Sequence, residues 1–544
     1  MKIVGLVSNS ATLPHMHKQL FEWLAEIYQV QFQERRPGGL EGLDAAVFFG
    51  VEDQSPGLPN LQIAGQTSRN TSGSRATVQF GRTAAVPKVF RGRAVEQNDL
   101  APHAPLIVRD GDQIIATLRE QPIWVVRENG RCRTDVSAMA LPLTDEISAF
   151  FKCFAARNFL PLLPLVDFLR GLTGESGWNS PGLRAEFMFD DPNLHAASYG
   201  WINFPELAQH ASLHNYHASM ATVPLDTWFE CHQAVGVFAG NPARLSLLIH
   251  GNDHLKEELA SFSSDEQRMA SLAQALKRIS RLEAKTSIRV SRVMAAPHGA
   301  CSEETARVMA RMGFEAACIS TGSLHTYNAG KSWAKNIGLR MSEIVAGLPV
   351  IPRFRLGREC RDAILLAAYL DQPIIPVGHH QELAGGLELL EDLAGFINSL
   401  GEVRWMDMKD IARSNYRTRT EGNLLRVQSY SRVFNLKIPP GVTRISIERP
   451  NPVEATEEGI RVRTHGGKDQ FFASYASEPR PVQPGTSLEI TSLLPDPVNP
   501  DSVRLPGLSP WALARRQFCE CRDRLGPLAH RLKGESRRNG VRAK

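Results

Sequence analysis

Four short, mainly apolar runs in the middle of the chain each end on polar side chains that can bind metals or carry protons. Residues 184–189 run into two aspartates, 244–249 into a histidine, 290–296 into a Pro-His-Gly turn and 372–377 into a histidine pair. Such runs, bounded by turn residues, are typical of buried strands, and helix-length segments separate the four. Repeated strand–helix units favour a (β/α) barrel, in which side chains at the carboxyl ends of the strands meet at one face.

The first run ends on two adjacent carboxylates, Asp190 and Asp191, and Pro192 follows them. Side chains alternate along a strand, so neighbouring aspartates face one site only where the chain bends, and Pro192 supplies the bend. Two crowded carboxylates do not both ionise cheaply unless a cation lies between them or one takes up a proton. We therefore predict a metal site here, the alternative being an ordinary Asp-Pro turn.

The second run ends at His250, and His254 follows four residues later. We expect a helix-forming segment here to place both imidazoles on one face of its first turn, because residues four apart share a helix face. Two neutral imidazoles and one carboxylate leave part of a zinc-type coordination sphere open for water, which is the arrangement of a catalytic site.

Together, the four run ends resemble the polysaccharide deacetylase domain, or NodB-homology domain, of carbohydrate esterase family 4. The family motifs T/S-F-D-D-G, H-S/T-x-x-H, R-x-P-Y/F-G and L-x-H correspond to Phe189-Asp190-Asp191, His250-Gly-Asn-Asp-His254, Pro297-His298-Gly299 and Val377-Gly378-His379. The motifs follow the family order over residues 182–416. The resemblance implies a distorted (β/α)7 barrel and a metal-dependent hydrolase of amide bonds in carbohydrates, with zinc as the expected metal.

The resemblance also implies a role for each residue. Asp191, His250 and His254 would be the metal ligands, and Asp190 the base that deprotonates the water nucleophile. His379 would be the acid that protonates the leaving amine, a role that requires a pKa near neutral. His380 is the competing choice for the acid, because the sequence does not decide which ring faces the site.

Further residues are candidates for the substrate pocket. Pro297, His298 and Gly299 would shape its wall, and the backbone N–H of Asn193 would stabilise the oxyanion. Ala295 stands where the family has the arginine that pairs with the catalytic aspartate. Arg353 would either replace that arginine beside Asp190 or, with Arg355, hold an anionic group of the substrate.

The chain on either side of the barrel shows other patterns. Residues 1–145 alternate strands and helices and resemble a flavodoxin-like domain of the glutamine-amidotransferase type. This domain would not be catalytic, because no cysteine precedes Cys132 and that chemistry needs a thiolate. Residues 146–181 predict a helical bridge, and the short alternating runs of 417–508 predict a small antiparallel β-sandwich.

The C-terminal tail, residues 509–544, carries ten Lys or Arg against three acidic residues, more positive charge than the chain's net +5. Trp511, Leu513, Phe518 and Leu525 could form a short amphipathic helix, and a basic helix with a tryptophan can make peripheral contact with an anionic membrane. The favoured interpretation is a solvated, partly disordered end.

Composition places the chain among globular proteins, with 42% hydrophobic and 22% charged residues. The eight cysteines are scattered, so we expect reduced thiols. Because the chain opens directly on a strand-like run, we expect a cytoplasmic location, at the inner face of the membrane if the tail binds there. We expect a carbohydrate substrate and no nucleic acid partner; the oligomeric state stays open.

The sequence thus favours a deacylase that removes an acetyl-like N-acyl group from an amino sugar in bacterial surface-polysaccharide synthesis. One alternative is hydrolysis of a linear or cyclic non-sugar amide, as in allantoinase-like relatives. Another is a degenerate barrel that serves as a glycan-binding or assembly protein. His210, His214 and His217 are predicted to face solvent on the far side of the barrel rather than to bind a metal.

Overall fold

The computed structural model describes residues 1–9, 16–50, 57–64, 75–98, 106–129, 132–144, 147–449, 459–464, 470–472 and 478–541. The chain divides into two compact units. Unit 1 comprises Met1–Asn179, Ala329–Arg340 and Asp362–Leu370, and unit 2 comprises Ser180–Asn328, Met341–Arg361 and Asp371–Lys544. Over the described residues, no helix is both long enough and apolar enough to cross a bilayer.

The helices of the described chain are numbered here in sequence order. They are α1 (Lys18–Tyr28), α2 (Leu163–Leu172), α3 (Phe204–Leu213), α4 (His232–Gly240), α5 (Asp265–Thr286), α6 (Glu303–Arg311), α7 (Thr321–Thr326), α8 (Arg361–Tyr369), α9 (Glu388–Asn398), α10 (Met408–Ser414) and α11 (Pro510–Val541).

Unit 1 is built on one nine-stranded sheet. Its strands are β1 (Lys2–Ser8), β2 (Val30–Arg35), β3 (Ala45–Phe49), β4 (Asn60–Ile63), β5 (Arg75–Phe80), β6 (Ala94–Asn98), β7 (Gln113–Leu118), β8 (Gln121–Asn129) and β9 (Cys132–Ser137). The order is β2-β1-β3-β4-β9-β8-β7-β5-β6. The first five strands are parallel, in the order of flavodoxin-like sheets, and the remaining four extend the sheet in antiparallel pairs. The amidotransferase resemblance itself stays a prediction.

Unit 2 contains a second nine-stranded sheet. The strands of this part of the chain are β10 (Leu183–Ala185), β11 (Phe187–Asp190), β12 (Ser198–Tyr199), β13 (Ile202–Asn203), β14 (Ala218–Thr222), β15 (Leu245–Ile249), β16 (Val290–Ala295), β17 (Ala316–Ile319), β18 (Glu343–Val345), β19 (Leu348–Pro352), β20 (Phe354–Arg355), β21 (Pro376–Gly378) and β22 (Val403–Trp405). The order in the nine-stranded sheet is β18-β19-β17-β16-β15-β14-β11-β21-β20. All neighbours are parallel except β18 and β19.

The predicted closed seven-stranded barrel does not appear as an uninterrupted ring of hydrogen-bonded strands among the described residues. The break lies at Arg353, between β19, which pairs with β17, and β20, which pairs with β21. Pro352 contributes to the break because it has no N–H to donate to a neighbouring strand. The two ends of the parallel sheet therefore belong to one continuous segment of chain.

The strands of this sheet form as they do because their runs are buried on both faces. All five residues of β14 and of β15 are buried. Buried side chains from seven successive stretches of this sheet share one apolar core, to which α10 also contributes. Its members include Met188, Ala221, Leu248, Val293, Cys318, Ile351 and Ile375, and Met408, Ile411 and Ala412 of α10.

The segment after residue 415 forms two four-stranded sheets. Their strands are β23 (Tyr416–Glu421), β24 (Leu424–Ser429), β25 (Val433–Lys437), β26 (Arg444–Glu448), β27 (Gly459–Thr464), β28 (Gln470–Phe472), β29 (Arg480–Pro481) and β30 (Ser487–Leu493), in the orders β23-β24-β26-β29 and β25-β30-β27-β28. Alternate residues of both sheets enter one apolar core. The antiparallel prediction is wrong for one pair, because β24 and β26 run parallel.

Candidate functional site

The carboxyl ends of β11, β15, β16, β19 and β21 open into a cavity of about 660 Å³. Nine of the candidate residues that the sequence analysis named line it: Asp190, Asp191, His250, His254, His298, Gly299, Arg353, Arg355 and His379. The structure thus brings together side chains from all four run ends. It does so because parallel neighbouring strands deliver their last residues to the same edge.

Strand β11 ends at Asp190, and the turn begins one residue earlier than Pro192. Asp191 has a φ of 86°, which a residue with a side chain rarely adopts. Its backbone N–H still donates to the carbonyl of Ala221 on β14, at 3.1 Å. The left-handed residue reorients the chain so that both neighbouring carboxylates line one cavity.

The two histidines of the second run end do not lie on a helix, and that prediction is wrong. Residues 250–254 form a loop in which Gly251 and His254 have positive φ, and α5 begins only at Asp265. The buried carboxylate of Glu258 shapes the loop by accepting the N–H groups of Asn252, Asp253 and His254 at 3.0–3.1 Å. The imidazoles nevertheless meet, with ring centroids 4.9 Å apart.

The donor atoms of Asp191, His250 and His254 lie within 4.8 Å of one another. His250 Nδ1 lies 2.8 Å from the carbonyl oxygen of Ala295, so it carries the proton and leaves Nε2 as a ligand atom. His254 Nε2 lies 3.2 Å from Asp191 Oδ1. The set, one carboxylate and two imidazoles, suits a divalent ion such as Zn²⁺ with a position open for water.

Both histidines are held in the neutral form that metal binding requires. Burial lowers the pKa of His254 to about 3. Burial also lowers the pKa of His250, although Asp190 and Asp191 oppose the effect. At neutral pH, each ring therefore offers a nitrogen lone pair.

Arg353 is the arginine that pairs with Asp190. Its Nη1 donates to Asp190 Oδ1 at 3.0 Å, and both side chains are buried. Burial raises the pKa of Asp190, but opposing effects, of which the positive charge of Arg353 is the largest, bring the net pKa below the ordinary value. Asp190 is thus an ionised carboxylate at neutral pH. Arg355, by contrast, is 83% exposed.

His379 and His380 differ in their surroundings. His379 is exposed and lines the cavity. His380 is buried, and its ring packs at a steep angle against that of Tyr199, with centroids 5.6 Å apart. His380 Nε2 lies 3.6 Å from Asp523 Oδ1 of α11. His379 therefore has the access that a proton donor to the substrate needs.

The remaining predicted pocket residues divide into two groups. His298, with a φ of 56°, and Gly299 line the cavity, and Pro297 lies behind them against Gly251. Asn193 is buried, and its side chain contacts Asp226 and accepts a hydrogen bond from Arg524. It does not belong to the cavity lining among the described residues.

The sequence analysis missed one wall of the site, which α11 supplies. Arg515, Arg516, Cys519, Arg522 and Asp523 of this helix line the cavity. Arg516 donates to Asp191 Oδ1 at 3.1 Å. A signal was present, because the polar residues Arg516, Glu520 and Asp523 recur at helical spacing, but the excess of basic residues favoured a solvated tail or a membrane contact instead.

The far-side histidines also required a correction. His217 does not face solvent but is 2% exposed, with Nε2 2.8 Å from the hydroxyl of Ser246 and Nδ1 3.1 Å from the carbonyl of Ala243. Burial lowers the pKa of His217 to about 4. His210 and His214 are partly exposed.

No protein-family model matches this chain, and a comparison with curated proteins found no match. Similar solved structures include the carbohydrate deacetylase Agd3 (TM-score 0.47, 9% identity, 91% of this chain and 99% of that one). A Mycobacterium smegmatis protein assigned as a polysaccharide deacetylase has a TM-score of 0.32 and 14% identity over 44% of this chain and 91% of its own. A family 4 carbohydrate esterase of Streptococcus mutans has a TM-score of 0.24 and 13% identity over 42% and 87%. At these scores, the geometry of the site has to carry the functional assignment.

Proposed function

We propose that this chain is a divalent-metal-dependent hydrolase that removes an acetyl-like N-acyl group from an amino sugar, in the synthesis of a surface polysaccharide. The observation that carries the proposal is the convergence of Asp191, His250 and His254 in an open cavity, beside a second carboxylate, Asp190, that is held by Arg353. Metal ligands and an ionised carboxylate in one cavity are the groups that metal-dependent hydrolysis of an amide by water uses.

The ion pairs at the metal ligands are also compatible with a cation. Three carboxylates, Asp190, Asp191 and Asp226, pair with two guanidinium groups, Arg353 and Arg516. This cluster carries one net negative charge, and the other arginines of the cavity lining, Arg355, Arg515 and Arg522, lie outside these pairs. A divalent ion together with a hydroxide nucleophile would neutralise the cluster.

The proposed chemistry divides among three groups. When bound by Asp191, His250 and His254, a divalent ion lowers the pKa of water from about 16 to about 7 and polarises a carbonyl oxygen. Asp190, ionised beside Arg353, takes the proton from the attacking water. His379, exposed in the cavity, gives a proton to the departing nitrogen.

We also infer that the parallel sheet of unit 2 curls into the distorted barrel that the sequence predicts. The support for this is that both ends of the sheet belong to the segment around Arg353. This bend places Arg353 where its side chain reaches Asp190 on β11.

The test is release of acetate or formate from N-acylated amino sugars with and without added Zn²⁺. We expect metal-dependent release, and an Asp190→Asn variant that retains metal but loses about 10²–10⁴-fold in kcat. Release from ureides or cyclic amides in place of sugars would favour the allantoinase-like alternative. A purified protein that binds no metal would favour the glycan-binding or assembly role.

A peripheral membrane contact stays a separate proposal. Trp511 and Phe518, each 72% exposed, and Leu525, 59% exposed, recur every seven residues along α11. Vesicles with and without anionic lipid test it, because a Trp511→Ala and Phe518→Ala double variant should bind anionic vesicles more weakly. Equal binding by the variant would remove the proposal.

A further inference from the structure

Helix α11 enters the site with a buried polar face. Arg516, Glu520 and Asp523 lie on this face at 2%, 7% and 6% exposure. Glu520 binds His195 at 2.9 Å, and Asp523 accepts from the hydroxyl of Tyr199 at 3.0 Å. Apolar packing of this helix involves its start, where Ala512 and Leu513 join Val223 and Leu225. The helix is therefore docked largely by polar contacts, and Arg516 and Asp523 of this face also line the candidate cavity.

Arg516 makes the most specific of these contacts. Its Nη1 lies 3.1 Å from Asp191 Oδ1, and its Nη2 lies 3.4 Å from the backbone oxygen of Asp191. The same guanidinium donates to both carboxylate oxygens of Asp226, at 3.2 and 2.5 Å. One planar group thus holds the side chain and the backbone of a residue whose φ of 86° is strained.

We propose that Arg516 is a positioning residue for the metal ligand Asp191, so that the C-terminal helix completes the metal centre. This inference rests on the metal site of the proposed function, but not on the reaction or the substrate. Arg516 restricts the Asp191 carboxylate to one orientation, and ligands that are oriented in this way bind a metal more tightly than free ones. Helix docking and metal binding are then linked, and each stabilises the other.

A guanidinium beside a metal ligand would by itself repel the ion. Asp226 removes this objection, because it is 3% exposed and shares the charge of Arg516. The Arg516–Asp226 pair is neutral as a unit, so it can orient Asp191 without adding positive charge near the ion. Loss of either partner alone exposes the charge of the other.

The experiment is a titration of the full chain with Co²⁺ alone, in which the visible absorption of the bound ion measures binding. All variants carry His210→Ala, so that the second group of possible ligands, His210, His214 and Glu391, does not contribute to Co²⁺ binding. We expect Arg516→Ala to bind Co²⁺ about 10–100-fold more weakly and with an altered spectrum. Arg516→Lys should recover part of the affinity, because it restores the charge but not the planar fork.

Two further variants separate positioning from charge and from folding. Arg522→Ala removes the same charge from the same helix. Because the Arg522 side chain contacts Asp523 rather than a metal ligand, this variant should leave the Co²⁺ affinity and the spectrum unchanged. The double variant Arg516→Gln with Asp226→Asn removes both charges from the pair. If the pairing of Arg516 with Asp226 matters, the double variant loses less Co²⁺ affinity than Arg516→Gln and Asp226→Asn lose in sum as single variants.

The outcomes distinguish this inference from the proposed function. A parent chain that binds no Co²⁺ would overturn both. A parent that binds Co²⁺, with Arg516→Ala binding it equally or more tightly, would overturn the positioning role alone. Equal weakening by Arg522→Ala would reduce the effect to the overall charge of the helix and also overturn it.

Discussion

The chain contains two histidine pairs of identical spacing, and only one of them lies in the cavity. His250 and His254 lie near Asp191, and His210 and His214 lie near Glu391. The second pair lies at the end of a real helix, α3, where residues four apart share a face, and its ring centroids are 4.2 Å apart. The helical argument that we applied to the first pair therefore describes the second.

The difference lies in what surrounds each pair. His250 is 1% exposed and its Nδ1 is held by a backbone carbonyl, whereas the Glu391 side chain is 54% exposed and 3.8 Å from His214. A surface side chain loses conformational entropy when it binds an ion, and water screens its interaction with the ion. A buried side chain that is already oriented loses less conformational entropy on binding. Spacing alone thus identifies candidate ligands, and the surroundings decide which pair can form a strong site.

The largest expected effect compares the two pairs directly. His250→Ala should abolish metal-dependent turnover and metal retention after dialysis, because it removes a ligand of the buried centre. His210→Ala, the matched control, should change neither. Metal analysis and an acetate-release assay check both, and equal losses in the two variants would show that the pairs had been ranked wrongly.

The next effect concerns the pairing of Asp190 with Arg353. Arg353→Ala should destabilise the fold by about 3–5 kcal/mol, because it leaves a buried carboxylate uncompensated. Arg353 helps to lower the pKa of Asp190, so its loss raises that pKa. The acid limb of the rate profile should therefore move to higher pH.

Denaturant unfolding and a pH–rate profile measure the two consequences. Arg355→Ala is the matched control, since that side chain is 83% exposed and should leave stability and the acid limb in place. An unmoved acid limb in Arg353→Ala would mean that Asp190 is not the titrating base.

A smaller effect tests the loop that replaces the predicted helix. Glu258→Gln keeps the shape of the side chain but turns one acceptor into a donor facing a backbone N–H. Metal affinity should fall by about 10–100-fold, as for other groups that orient metal ligands. Glu257→Gln, whose carboxylate lies near Tyr327, is the control for calorimetric metal titration. Unchanged affinity in Glu258→Gln would show that the loop holds its shape without this carboxylate.

The smallest effect concerns His217, the buried member of the far-side group. Its folded pKa of about 4 lies below the ordinary 6.5, so the unfolded chain binds a proton first as pH falls. The stability that His217 contributes is present above pH 6.5 and is lost towards pH 4. Between pH 7.5 and 5, its advantage over His217→Gln should fall by about 2 kcal/mol in denaturant unfolding. A constant difference would contradict the buried neutral ring.

The positions of the candidate reactive groups were largely readable from the sequence. Asp190, Asp191, His250 and His379 each follow a short apolar run, and parallel strands bring such positions to one edge. The bend after β11 was assigned to Pro192, although Asp191 itself supplies it. The break in strand pairing at Arg353 was not predicted, because that pairing depends on neighbours far away in the chain.

The sequence by itself determined which side chains end the strands of the central sheet, because burial and turn residues act over a few neighbouring positions. The tertiary structure decided what surrounds them. Arg353 reaches Asp190 across 163 residues of sequence, and Arg516 reaches Asp191 across 325. No local pattern encodes contacts of that range, since they follow from the path of the whole chain. The basic C-terminal helix, for which the sequence predicted no part in the site, lies with one face in it.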